Sequence, residues 1–455
     1  MFLSSRFVIV DDKQEHLSGI KAALDQLRLD CHTKLYDVET IGDWERLPGV
    51  RILFMDKNLR PGLTMGGGPQ SAFAAIAEVI EKLISPQSGP YGLILWAEDP
   101  EMDALKAFLQ ERLAVVSPLL MPVFFAELKK GDYIDLNGNV HNAEKLKADI
   151  LAALEQSPQM KALFSWETDV MAASDAVLRS IVDLVPENLR VTDGFGQELG
   201  KVFYRLSQAG AGINKALDDP RAAINRVLVP ILADRILEHD PEANAGDKWR
   251  DALVNPGNQN ATIQVKAAVN TAIHLSHARS PGSVPTKPTD LGAVVDFPFE
   301  DAEAALEQKF GLSKAILMDD KFFGVSEQEW PNIRLRLIQI GAACDHAQPN
   351  KGPLLYALAI EWPFTNDDGF RTGGATLHQG KKTKDGEQLW YSPLLLVGPD
   401  KRAGKITAIL NCTMAATRDE AANWTVAFRM RDELISMLTQ AFARYISRPG
   451  IVELS

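Results

Sequence analysis

Phe7-Val8-Ile9-Val10-Asp11-Asp12 opens the stretch that decides the fold, and Arg51-Ile52-Leu53-Phe54-Met55-Asp56 closes it. Each is a short apolar run that ends in carboxylates. Continuous runs of this kind, bounded by polar residues, read as strands buried on both faces. In an open parallel sheet the C-terminal ends of neighbouring strands converge on one crevice, where ligands bind. Asp11, Asp12 and Asp56 would share that crevice, repel one another and titrate abnormally. A hard cation relieves the repulsion, and Mg²⁺ is held by one or two carboxylates with waters and phosphate oxygens. The stretch therefore predicts a site for Mg²⁺ and phosphate.

Working outward, strand and helix alternate. Leu17, Ile20, Leu24 and Leu27 recur at helical spacing after the first run. A second strand is expected at 31–36. Pro61-Gly62 and Gly66-Gly67-Gly68-Pro69 break the chain after the third. A helix is expected at 69–84, with Phe73, Ile76, Val79, Ile80 and Leu83 inward. A fourth strand follows at 93–96, a helix at 101–113 and a fifth strand at 119–125. Regular alternation implies a parallel sheet with right-handed crossovers.

Composition narrows the function classes. The 455 residues imply two or three domains. A net charge of −12 argues against a surface that coats nucleic acid. Cys31, Cys344 and Cys412 are far apart and form no CxxC pair, so no disulfide framework or cysteine-rich zinc site is indicated. No apolar run reaches bilayer length, and residues 1–6 lack a signal-peptide layout. A cytoplasmic protein of bacterial style is expected.

The order Asp11-Asp12, then Asp56 some 44 positions on, then Leu93-Ile94-Leu95-Trp96-Ala97-Glu98, resembles a response-regulator receiver domain. The resemblance covers about residues 5–135. It implies a flavodoxin-like, doubly wound parallel sheet that takes a phosphoryl group from a histidine kinase. It also implies roles. Asp56 is the phosphoacceptor and also a Mg²⁺ ligand, Asp12 ligates Mg²⁺ directly and Asp11 does so through water. Asn58 offers the metal a backbone carbonyl, and Lys130 or Lys129 pairs with the phosphoryl oxygens, with Lys130 slightly favoured. One departure stands out. The family carries Ser or Thr at the end of the fourth strand, and this chain has Trp96, whose indole has an N–H donor but no hydroxyl. The strand-five match is also imperfect, because Pro122 falls within the expected strand.

Past the receiver-like stretch, residues 139–285 read as helical. Leu146, Ile150 and Leu154 share a face, and helices are expected at 199–217 and 221–237, the second interrupted by Pro230. Trp166 reads as core. His274 and His277, at i, i+3, would share a helix face, but no partner carboxylate pattern makes them a metal site. The prolines of 280–288 mark a linker. Residues 286–455 read as a mixed α+β domain with a small antiparallel sheet or barrel. Strands are expected near 333–340, 354–360, 394–397 and 406–410, with helices at 299–310 and 429–445. Ala315-Ile316-Leu317-Met318-Asp319-Asp320 echoes the opening motif by coincidence, since no alternation follows. Cys344-Asp345-His346 reads as a strand end more readily than as a nucleophilic or metal site, because strand neighbours point to opposite faces. This stretch and Ser447-Arg448-Pro449-Gly450 resemble C-terminal regions of receiver-containing proteins from bacterial phage-defence systems, and the arrangement resembles the small barrel of PemK-like toxins.

The expected domains are thus a receiver at 1–138, a helical domain at 139–285 and an α+β domain at 286–455. No familiar output motif is visible, so a non-transcriptional relay component or phosphate sink is expected, in an antiviral defence setting. Its partners would be a histidine kinase and a second receiver or effector protein, with no nucleic acid or membrane, and with the oligomeric state left open. Two alternatives stand beside it: a receiver-gated effector with a C-terminal toxin or nuclease activity, and a phosphate-inert pseudo-receiver scaffold.

Overall fold

The computed structural model describes residues 6–59, 68–96, 101–135, 137–213, 216–238, 245–255, 261–277, 284–318, 330–341, 352–363 and 389–447. The chain divides into two compact units, one of residues 1–181 with 231–255 and the other of 182–230 with 256–455.

The first unit is built on a five-stranded parallel sheet of β1 (Phe7–Asp11), β2 (Cys31–Leu35), β3 (Ile52–Asp56), β4 (Gly92–Trp96) and β5 (Phe124–Leu128). The strand order is β2-β1-β3-β4-β5, the doubly wound order of the flavodoxin-like fold. Successive side chains alternate between the two faces, as strand geometry requires. Val8, Val10, Leu53, Met55, Leu93 and Leu95 pack towards α2 (Gly68–Leu83) and α3 (Met102–Val116). Ile9, Ile52, Phe54, Ile94 and Trp96 pack towards α1 (Gln14–Gln26) and α4 (Ala143–Glu155). The alternation also assigns the strand-end acids: Asp11 and Asp56 follow Ile9 and Phe54 on the α1 face.

The turn after β5 lies hard against α1. A Cβ at Gly19 would collide with the Gly138 carbonyl, and one at Gly138, whose φ is +78°, would collide with the Glu15 carbonyl. Glycine is required at both contacts. This approach brings the start of α1 and the segment after β5 to the same end of the sheet. At the opposite end of β3, Arg51 donates to both carboxylate oxygens of Glu167 on α5 (Pro158–Asp183), and Arg6 pairs with the same group at 2.9 Å. The helices α6 (Glu187–Arg190), α7 (Phe195–Ala211), α8 (Pro220–Glu238), α9 (Ala245–Ala252) and α10 (Ile263–His274) follow, with Pro230 inside α8.

The second unit carries an antiparallel sheet of β6 (Leu275–His277), β7 (Ala293–Asp296), β8 (Arg334–Gln339), β9 (Leu354–Pro363), β10 (Leu389–Tyr391), β11 (Leu395–Val397), β12 (Arg402–Ala416) and β13 (Val426–Met430). The order is β10-β12-β9-β8-β7-β13-β6, with β11 also on β12. β12 spans 15 residues, and its register against β9 shifts between Ala408 and Thr413. A bulge of this kind bends a long strand and re-aims its side chains. One face packs Leu337, Leu358 and Ile360 with Leu306 of α11 (Ala302–Phe310) and Leu317 of α12 (Lys314–Met318). The other packs Ile338, Ala359 and Ile406 with Leu434, Ile435 and Leu438 of α14 (Asp432–Ile446). A short α13 (Arg418–Ala421) follows β12, held by a capping box of Thr417 and Glu420.

The α/β class with a helical middle and a C-terminal antiparallel sheet thus matches expectation, and several details differ. The fifth strand forms at Phe124–Leu128, after Pro122, because Pro118–Leu120 turns as a 3₁₀ helix. Pro122 therefore removes no donor from the ladder. Trp166 is 50% exposed; its neighbour Glu167 makes the contacts. His274 ends α10 while His277 lies in β6, so the two share no helix face. Residues 314–318 are helical, which ends the echo of the opening motif. Cys344, Asp345 and His346 lie outside the described residues.

Candidate functional site

Each acid in the crevice is positioned by the strand or turn that carries it. Asp11 ends β1 and is 1% exposed, and Asp56 ends β3 and is 7% exposed. The parallel pairing of Val10 with Met55 sets the two strand ends side by side. The Lys13 amide donates to Asp11 Oδ1 at 3.0 Å, and the Asn58 amide donates to Asp56 Oδ1 at 3.2 Å. Each carboxylate thus has one oxygen held by the turn that follows its own strand, which leaves the second oxygen for the crevice.

Lys130 fills that crevice. Its ammonium donates to Asp11 Oδ2 at 2.6 Å and to Asp56 Oδ2 at 2.7 Å. It lies 3.0 Å from His16 Nδ1, which itself stands 3.4 Å from Asp11 Oδ1. Charge-assisted bonds of this length are among the strong ones. One cation offsets the repulsion between two buried carboxylates that would otherwise be costly. At the half-buried Asp12, burial, then the charges of Asp11 and Asp56, outweigh the nearby Lys13 charge and push the carboxyl up to about 6. A further positive charge would be welcome at this point.

The pocket brings together most of the expected residues. Asp11, Asp56 and Lys130 are in direct contact, and Asp12 and the Asn58 peptide lie beside them. Lys129 is exposed and lines an open groove with Lys106, Tyr133 and Lys145. Of the two lysines, Lys130 is the one that the structure places against Asp11 and Asp56. His16 is the contributor the motif did not supply. It sits in the first turn of α1, one residue before Leu17 and four before Ile20, so it falls on the inward stripe and is 8% exposed. Its helical phase is the signal that marks it as facing the sheet.

Trp96 closes the pocket's neighbouring wall. It pairs with Asp56 across β3 and β4 and is 1% exposed. Its ring stacks on Tyr133 at 5.4 Å and meets Phe54 edge-on at 6.2 Å. Its Nε1 is buried without a hydrogen-bond partner. Tyr133 in turn donates its hydroxyl to Asp149 at 2.6 Å, which holds that carboxyl below its usual range.

The donor set suits a divalent cation. One ligand atom each from Asp11, His16 and Asp56 lies within 4.8 Å of the others, and the Lys130 ammonium shows that a cation sits among all three. Two carboxylates suit Mg²⁺; an imidazole nitrogen is foreign to the oxygen shells it prefers.

Among the described residues, no helix is long and apolar enough to cross a membrane. No family model matches the chain, and no curated protein matches it. Among solved structures, full-length FixJ from B. japonicum matches at 13% identity over 56% of this chain and 100% of that one, with a TM-score of 0.20. At that score the likeness carries no argument, so the strand order and the acid pocket alone place the first unit in the flavodoxin-like class.

Proposed function

We propose that the first unit is a phosphoacceptor, with Asp56 taking a phosphoryl group from a histidine kinase in a His-to-Asp relay. The observation that carries this reading is the convergence of Asp11, Asp56 and Lys130 at the C-terminal edge of a β2-β1-β3-β4-β5 sheet. In the step itself an Asp56 carboxylate oxygen forms a bond to phosphorus. The P–N bond of the donor phosphohistidine breaks, and its electron pair returns to the imidazole. Asp11, Asp12, Asp56 and the Asn58 peptide would hold a divalent cation. When bound, that cation screens the incoming phosphoryl charge from the carboxylates. Lys130 releases Asp56 and follows the phosphoryl oxygens, remaining tied to Asp11.

Trp96 favours a relay component or phosphate sink over a switch. A buried indole stacked on Tyr133 offers no hydroxyl to move towards a phosphoryl group. Capture at Asp56 needs no such motion. The partners would be the kinase and, in a relay, a second receiver or effector; a phage-defence setting rests on the C-terminal sequence resemblance alone.

Labelling with acetyl phosphate tests the reading. Wild-type protein should acquire an acid-stable, base-labile phosphoryl group in the presence of a divalent cation, and Asp56→Asn should not. Equal labelling of the two would remove Asp56 as the acceptor.

A further inference from the structure

A lysine ammonium has three N–H donors and no acceptor. Lys130 meets three acceptors: Asp11 Oδ2 at 2.6 Å, Asp56 Oδ2 at 2.7 Å and His16 Nδ1 at 3.0 Å. Every donor is therefore used. Because the ammonium only donates, Nδ1 accepts, and the ring proton of His16 is assigned to Nε2. Asp11 Oδ1 stands farther from Nδ1, at 3.4 Å, and already accepts the Lys13 amide. When Asp56 takes a phosphoryl group, one N–H of Lys130 must change partner. Asp11 and His16 form no bond to phosphorus, so they are the two tethers that decide where the ammonium goes.

We infer that His16 is a positioning residue for Lys130: its Nδ1 takes the third N–H, draws the ammonium off the Asp56 carboxylate, and holds it where the N–H freed from Asp56 meets a phosphoryl oxygen. The inference rests on the reading of Asp56 as the phosphoacceptor. Without the imidazole, the ammonium is shared between two carboxylates alone, and the nucleophilic oxygen is held more tightly. The backbone setting supports this role. Glu15 and Gly19, on either side of His16 in α1, pack their backbones on Gly138 in the turn after β5. The imidazole and Lys130 therefore come from two segments fixed against each other, so the direction of the Nδ1 lone pair is set before any donor arrives. His16 is 8% exposed, which keeps water from replacing it as the third acceptor.

The test is the initial rate of labelling of the full chain by acetyl phosphate at saturating Mg²⁺, with the donor concentration varied. In that reaction an Asp56 oxygen bonds to phosphorus, the P–O bond of the donor breaks, and its electron pair leaves with acetate. His16→Leu should lower the limiting rate by about tenfold, the kinetic equivalent of losing part of one hydrogen bond to a charged group, and leave the half-saturating donor concentration within about twofold. His16→Asn, whose Oδ1 reproduces an acceptor near the Nδ1 position, should stay within about threefold of wild type in limiting rate. Urea midpoints should run the other way, with His16→Leu at or above His16→Asn, because the position lies on the apolar stripe of α1. Nitrogen NMR of wild-type His16 should show the Nε2–H tautomer. A leucine variant as fast as wild type, an asparagine variant no faster than leucine, or a ring protonated on Nδ1 overturns the inference and leaves Asp56 as the acceptor. A wild type that takes no label at Asp56 overturns the phosphoacceptor reading and this inference with it.

Discussion

The ammonium of Lys130 and the carboxylate of Asp56 stand 2.7 Å apart although 74 residues separate them in the chain. The same ammonium reaches Asp11, so one positive charge ties together the ends of β1, β3 and β5. The group proposed to accept phosphate is therefore held by the group that must release it.

Removing that charge leaves two buried carboxylates facing each other. Lys130→Met should lower the stability of the first unit by about 3–5 kcal/mol at neutral pH, the cost of breaking a buried pair from one side. A saturating divalent cation should restore part of the loss, since it binds only the folded pocket. Urea unfolding with and without the cation measures both quantities; a variant as stable as wild type would mean that the bridge contributes nothing.

Asp12 gives the first unit a pH signature. Its carboxyl titrates at about 6 when folded against 3.8 when free. Between those values the folded state holds more protons, so stability falls as pH rises through the window. Solvent screening at this half-buried group keeps the effect modest. The urea midpoint of wild type should fall more steeply than that of Asp12→Asn between about pH 4 and pH 6.5. Parallel slopes would assign the dependence elsewhere.

At Trp96 the size of the side chain should matter more than its N–H. Trp96→Ala should cost about 3–5 kcal/mol, because it empties a space filled by a fully buried ring. Trp96→Phe should cost far less, since the Nε1 it removes bonds to nothing and an unsatisfied buried donor contributes no stability. Denaturant unfolding of the two variants separates them. Similar losses would show that the N–H has a partner in solution.

In the second unit Arg336 is 4% exposed and Glu361 is 2% exposed, and they pair across β8 and β9. Arg336 also reaches Asp296 of β7, and the Gly398 amide donates to Glu361. Arg336→Met alone should destabilise this unit by about 3–5 kcal/mol, and the double change Arg336→Met with Glu361→Leu should cost clearly less, because no charge is then left buried and unpaired. Thermal unfolding of single and double variants checks the order; a double variant worse than the single would reverse it.

Much of this was legible in the residue pattern. The runs ending in Asp11 and Asp56 mark their own strands, and the alternation between them dictates a parallel sheet, so the acids meet at its edge. The pattern narrows the lysine to Lys129 or Lys130, and the turn after β5 sets Lys130 against the two acids. His16 escaped because a motif read along the strands does not register a helix residue that faces them. The strand expected at 119–125 starts too early because its apolar residues resemble a strand, whereas Pro118–Leu120 turns as a 3₁₀ helix and the strand begins at Phe124. The expected sheet lacks β6 and β10 because these are three residues each, too short to show a period, whereas β11 falls on the strand expected at 394–397.

The Trp96–Tyr133 stack has a bearing on how fast the pocket can respond. Tyr133 lies three residues after Lys130, and its own hydroxyl is tied to Asp149. The segment carrying the ammonium is thus clamped at one end by an ion pair and at the other by an aromatic contact. A metal or a phosphoryl group must wait for Lys130 to swing aside on its four-carbon stem, because the backbone beneath it is pinned. Entry becomes a gated step whose frequency belongs to the protein, so uptake should saturate at high ligand concentration instead of rising in proportion to it.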